Sequence, residues 1–210
     1  IMLQQTQVGT VLGYYGRFLE RLPDVHALAL APLDDVLALW SGLGYYSRAR
    51  NLHQCAKQVV TDFGGRFPPS SEALQVLPGI GPSTAAAIAA FCFGEPISIF
   101  DGNVKRVLAR WLAFGGDMSD GAQVRALAAL AQAQLPTTPT PTAMVAYTQG
   151  LMDLGATVCT RTRPACASCP IAGGCMALRS GLTTQLPVKT KRTKRVTVAW
   201  WLLVARRPSG

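Results

Sequence analysis

The sequence has no acidic residue after position 183, no apolar run long enough to span a bilayer and no internal repeat of fixed period. Each absence removes a class of protein. The longest apolar runs, at 83–93 and 196–205, fall short of the roughly 18–20 residues that a spanning helix needs, so no membrane passage is expected. No export signal is expected, and the six cysteines are not spaced as a disulfide framework. Both features point to a reducing, intracellular compartment, the cytoplasm or nucleoid if the source is bacterial. What is present suits a globular chain: 49% of its 210 residues are apolar, enough for one or two packed domains.

The formal charge of +9 is unevenly placed. Residues 1–183 hold 13 Lys/Arg against all 11 acidic residues, whereas residues 184–210 hold seven Lys/Arg and no acid. Lys189, Lys191, Arg192, Lys194 and Arg195 form a basic run that suits either a solvated linker or contact with phosphates.

Hydrophobic spacing near 3.6 residues, punctuated by Gly and Pro, predicts an all-α body of roughly ten helices. The chain is expected to open inside a helix that continues over 12–22. Further helices are expected at 33–42, 45–63, 72–77, 83–93, 103–114, 121–135 and 142–159. Only 196–205 has the β-branched and aromatic character of a strand. Cys55 and Cys92 fall in apolar helical patterns and read as inert, buried thiols.

Four stretches carry possible chemistry. In 77–84, LPGIGPST, Gly79 and Gly81 allow a tight turn, and the first-turn amides of the following helix are free to meet a phosphate; an ordinary helical corner is the plainer reading. Asp101 stands at an N-cap position and, with Asn103, Lys105 and Arg106, brings a carboxylate and two cations to one helix entrance. Tyr45 and Tyr46, followed by Arg48 and Arg50, can supply a wedge into a base stack with phosphate contacts beside it, or simply a packed ring and a solvated basic face. Cys159-x6-Cys166-x2-Cys169-x5-Cys175 suits a loop wrapped around one centre, and its irregular gaps favour an iron–sulfur cluster over zinc, which stays the alternative.

Together these stretches resemble a known family. LPGIGPSTAAAIAAF at 77–91 resembles the helix-hairpin-helix of the DNA glycosylase superfamily, FDGNVKRVLAR at 100–110 its catalytic Asp motif, and the cysteine spacing the [4Fe–4S] loop of its endonuclease III-like branch. Within that branch, MLQQTQV, GLGYYSRARNLH and MDLGATVCT are similar to adenine DNA glycosylases of the MutY type. That resemblance implies a monofunctional enzyme, a monomer, that hydrolyses the N-glycosidic bond of adenine opposite 8-oxoguanine or guanine in duplex DNA. It implies that Asp101 is catalytic and that Leu3, Gln4, Gln5 and Thr6 enter the duplex near the lesion. Tyr45 would wedge into the stack, and Arg48, Arg50, Gly79, Gly81, Ser83, Asn103 and Lys105 would lie along the DNA. A [4Fe–4S] cluster on Cys159, Cys166, Cys169 and Cys175 is implied as well.

The same comparison implies three parts: a helical lobe with the hairpin at 1–98, a second lobe with the cluster loop at 99–183, and a basic linker with the truncated start of a NUDIX-like β domain at 184–210. Ser83 stands where the bifunctional endonuclease III-like enzymes carry a nucleophilic Lys, which disfavours a glycosylase/lyase. The family's general acid, a Glu, would stand just ahead of Ile1. As written, the chain is therefore expected to be impaired, at the limit a module that binds the lesion without releasing the base.

Overall fold

The computed structural model describes residues 1–190. Lys191, Arg192, Lys194, Arg195 and the strand expected at 196–205 lie outside the described residues. Within them the fold is all-helical: α1 (Val8–Arg21), α2 (Val25–Leu30), α3 (Leu33–Trp40), α4 (Tyr46–Phe63), α5 (Ser71–Leu74), α6 (Pro82–Phe93), α7 (Gly102–Trp111), α8 (Gly121–Gln132), α9 (Pro141–Asp153) and α10 (Met176–Arg179). A π-helical turn, Leu154–Val158, extends α9, and two 3-10 turns, Cys166–Ser168 and Ala172–Gly174, follow it. No helix among the described residues is long and apolar enough to cross a membrane.

The helices start where side chains satisfy their free amides. Asp24 accepts from Ala27 N at 2.7 Å, Ser70 from Ala73 N at 3.2 Å, Asp101 from Val104 N at 2.7 Å and Thr140 from Ala143 N at 3.2 Å. Three apolar clusters then assemble the chain. Helices α1 to α4 enclose Phe18, Leu28, Val36 and Trp40, with the Phe18 and Trp40 rings edge to face at 6.3 Å. Helices α4, α5 and α6 enclose Cys55, Val59, Leu74 and Ile80. The third cluster joins α6, α7 and α8 through Ala86, Val104, Leu108 and Leu127.

Helix α6 belongs to two of these clusters. Its alanines let neighbours approach on opposite faces, Ala85 and Ala89 toward the second cluster and Ala86 toward the third. A helix apolar on all sides is a buried helix, and this one is the strut between the two halves of the core.

Two expectations are corrected. Residues 1–6 do not form a helix: they run as successive turns, and Gln5 takes φ +57°, so regular structure begins only at Val8. Cys92 is exposed rather than buried, because its side of α6 faces an open cleft, whereas Cys55 is only 2% exposed. Burial pushes the Cys55 thiol up to about 11. The unfolded chain ionises its thiol near the ordinary value of about 8.5, so this contribution to stability is complete below that pH and falls as the pH rises toward 11. Denaturation midpoints are therefore expected to decline above about pH 9, less so in Cys55→Ala. Alkylation of the folded protein at pH 8, read by mass spectrometry, should modify Cys92 and spare Cys55.

Candidate functional site

A cleft of about 800 Å³ opens between the turns at 1–5, the start of α4, α6 and the N-terminus of α7. Asp101, Gln4, Gln5, Tyr45, Arg48 and Ser83 all line it. Among the described residues Asp101 is the one carboxylate in its lining. The Asp101 side chain is half-buried, and its Oδ1 accepts the Val104 amide at 2.7 Å. Capping the helix therefore fixes the carboxylate's position at the cleft wall. Lys105, one turn along, lies with Nζ 4.9 Å from the Phe100 ring centroid.

The turns at 1–6 are anchored from two sides. Gln4 Nε2 donates to Gly79 O at 3.0 Å and to Thr84 Oγ1 at 3.1 Å, which ties this segment directly to the 77–84 corner. Leu3 and Gln5 remain exposed, and the Thr6 hydroxyl points back to Gln4 O at 3.5 Å. On the second side stands Arg48, which donates to Ile1 O, Met2 O and Gln4 O.

Arg48 corrects an expectation. It is not part of a solvated basic face: it is 8% exposed, and both terminal nitrogens are bonded to main-chain carbonyls. Arg50, two residues on, is the exposed cation of this stretch. Tyr45 is 62% exposed with φ +48°, a left-handed conformation that presents its ring outward from the start of α4.

At the 77–84 corner Gly79 has φ +79°, and a Cβ there would stand 2.8 Å from Asn51 Cβ. Gly81 has ordinary extended backbone and open space around it. Only the first glycine is demanded by geometry. Ser83 and Thr84, in the first turn of α6, line the cleft.

Asn103 is engaged within the protein. Its Oδ1 accepts from Arg106 Nη2 at 2.9 Å, while Arg106 also donates to Gly155 O at 2.7 Å and to Cys159 O at 2.8 Å. One side chain thus links the Asp101 helix to the first cysteine.

All four cysteines of the loop, Cys159, Cys166, Cys169 and Cys175, line one small cavity beside α7, with Val107, Trp111 and Leu178. Burial, and after it the neighbouring thiols, push the Cys166 thiol up. No three His, Cys, Asp or Glu side chains among the described residues stand close enough to hold a single metal ion. Four soft thiols lining one cavity are the donor type that an iron–sulfur centre takes.

Arg110 was not anticipated as part of this centre. It is 2% exposed and donates to Leu186 O, Thr160 O and Arg161 O at 2.9, 2.7 and 3.1 Å, with Nη1 3.3 Å from Cys159 Sγ. The signal available in the sequence was its spacing: Arg110 lies four residues after Arg106 and three after the buried Val107, on the inward face of α7.

The family profile described as HhH-GPD superfamily base excision DNA repair protein matches residues 1–133. The chain belongs to the HhH-GPD superfamily. Among curated HhH-GPD relatives, the human protein named adenine DNA glycosylase is 46% identical over 178 residues, 84% of this chain and 32% of that protein. The adenine DNA glycosylase of Buchnera aphidicola subsp. Baizongia pistaciae is 38% identical over 206 residues, 97% of this chain and 57% of that protein. The chain thus spans 32% of the first of these relatives and 57% of the second. Among solved structures, a thermostable thymine-DNA glycosylase superposes with a TM-score of 0.72 at 26% identity, covering 85% of this chain and 81% of that one. Endonuclease III in a non-covalent DNA complex has the same fold, with a TM-score of 0.70 at 22% identity over 86% of this chain and 81% of that one.

The two glycines of the HhH-GPD corner should respond differently to substitution. Gly79→Ala is expected to cost about 1–3 kcal/mol, through its positive φ and the approach to Asn51. Gly81→Ala should stay within about 0.5 kcal/mol of the parent, as checked by urea denaturation.

Proposed function

We propose that this chain is the glycosylase core of a monofunctional adenine DNA glycosylase, acting on adenine opposite 8-oxoguanine or guanine in duplex DNA. The observation that carries this reading is one cleft lined by Asp101, Gln4, Gln5, Tyr45 and Ser83 in a chain 46% identical to a protein named adenine DNA glycosylase. On this reading residues 1–98 and 99–183 are the two lobes that flank the DNA.

Each residue's part follows from its chemistry. Exposed Tyr45 provides a flat face to replace the stacking lost when adenine swings out of the duplex. Leu3, Gln5 and Thr6 meet the opposite strand, where an amide both donates and accepts at a base edge. Gly79, Gly81 and the first-turn amides of α6 receive a phosphate, with Arg50 and Lys105 nearby. The Asp101 carboxylate, fixed by its capping bond, stabilises positive charge developing on the sugar and orients the attacking water.

Adenine leaves readily only if it is protonated; the resemblance assigns the proton donor to a Glu ahead of Ile1, and Ile1 itself lines the cleft. Glu95 does not take this part, because its carboxylate accepts from Ser71 N and Ser71 Oγ at 2.6 and 3.0 Å. Glu20 and Glu72 are not in the cleft lining.

The cysteine loop is proposed to hold a [4Fe–4S] cluster on Cys159, Cys166, Cys169 and Cys175. When bound, the cluster supplies iron–thiolate bonds that cross-link the loop to itself. Arg110 and Arg106 secure the same loop from α7 through its carbonyls. Purified protein is expected to contain iron and sulfide with visible absorbance, both lost in Cys166→Ser; colourless protein containing zinc would refute the cluster.

The central test is single-turnover adenine release from a duplex carrying adenine opposite 8-oxoguanine, with binding measured in parallel. This chain and the same chain with a Glu placed ahead of Ile1 should both bind, and the extended chain should release adenine much faster. Asp101→Asn in the extended chain keeps a cap and near-parental stability, and should slow release by roughly a hundredfold or more. Borohydride should trap no protein–DNA adduct; a trapped adduct would favour a glycosylase/lyase.

A further inference from the structure

Two non-glycine residues at the mouth of the cleft have left-handed backbone, Gln5 at φ +57° and Tyr45 at φ +48°. Such conformations cost about 1–3 kcal/mol each and persist only where the surroundings impose them. The two residues lie in different segments, 1–6 and 42–46, and both segments converge on the same guanidinium. Arg48 Nη1 donates to Met2 O at 2.8 Å and also to Gln4 O and Ile1 O. Its Nη2 donates to Leu43 O at 3.3 Å and Gly44 O at 3.4 Å. The guanidinium also lies 5.4 Å from the Trp40 ring centroid and 5.3 Å from that of Tyr45. No carboxylate is among its hydrogen-bond partners.

We infer that Arg48 is a positioning residue: it clamps the 1–6 and 42–46 segments together and so holds Gln5 and Tyr45 ready to enter DNA, without itself touching a phosphate. This rests on the proposed DNA-facing role of the cleft. The chemistry requires arginine. Carbonyls from two segments must be met at once by a planar fork of donors, whereas the ammonium of lysine is a compact point charge. A cation recruited for phosphate would instead be exposed and replaceable by lysine, which describes Arg50 and not Arg48.

The test compares this chain with its Arg48→Lys, Arg48→Met and Arg50→Met variants. Affinity is measured for a duplex with adenine opposite 8-oxoguanine and for a fully paired duplex, each across a salt series, and amide hydrogen exchange is followed in the free proteins. Both Arg48 variants should lower the preference for the lesion duplex by roughly tenfold or more. Their salt dependence on the paired duplex should match the parent's, and extra exchange should be confined to 1–6 and 42–48. Arg50→Met should do the reverse, lowering the logarithmic salt slope by about 0.9 while keeping the preference.

Recovery of the preference by Arg48→Lys, a reduced salt slope in Arg48→Met, or loss of protection throughout both Arg48 variants would each overturn the inference. Should the parent show no preference for the lesion duplex, the DNA reading fails and the exchange data decide the clamp alone. Extra exchange limited to the two segments then supports it, and unchanged exchange overturns it.

Discussion

Two buried guanidinium groups, neither hydrogen-bonded to a carboxylate, hold the irregular parts of this protein to its helices. Taking a cation out of water costs several kcal/mol even after relaxation, so the terminal nitrogens of each are met by acceptors, while Arg48 Nε has none among the described residues. Here the acceptors are main-chain carbonyls: those of 1, 2, 4, 43 and 44 around Arg48, and those of 160, 161 and 186 around Arg110. The dependence is mutual. Segments without regular structure leave carbonyls in need of donors, and a buried arginine supplies up to five. The cleft mouth and the cysteine loop are each organised around one such residue.

The apolar core explains how these two places are joined. Helix α6 is shared between clusters, so the corner at 77–84 that opens it is set by the same packing that seats α7. Gln4 extends this chain of contacts to the N-terminal turns by bonding Gly79 and Thr84. From α7, Arg106 reaches Gly155 and Cys159, and Arg110 reaches the carbonyls that follow. A rigid path of packed alanines and hydrogen bonds therefore runs from the segment bearing Gln5 to the segment bearing the cysteines.

Much of this was legible in the sequence because helices announce themselves. The 3.6-residue spacing, the cap at Asp101 and the Gly-Pro corner before α6 all correspond to observed features. The miss at 1–6 has a distant cause: local preference favours helix there, but Arg48 draws three of its carbonyls aside, and no local pattern encodes a partner more than forty residues away. Arg48 and Arg110 were obscured for a related reason. Charge in a sequence suggests solvent, and only the three-dimensional arrangement of carbonyls makes a dry arginine tolerable. Cys92 failed in the opposite direction, since a helix apolar on every side gives no sign of which face meets the cleft.

Asp101 shows how a fold can build in a chemical group without sacrificing stability. An Asp at an N-cap is ordinary, and its bond to the Val104 amide would be retained for the helix alone. What distinguishes this one is its position in the wall of a cleft to which no other carboxylate among the described residues contributes. Acid and base work by two carboxyl groups is therefore not available from the cleft lining itself. A single anion fixed by backbone can stabilise a neighbouring positive charge, but an ionised carboxylate has no proton to deliver. Under the proposed reading, the carboxylate that caps α7 stabilises positive charge on the sugar, and the proton for the leaving base has to come from a group other than Asp101.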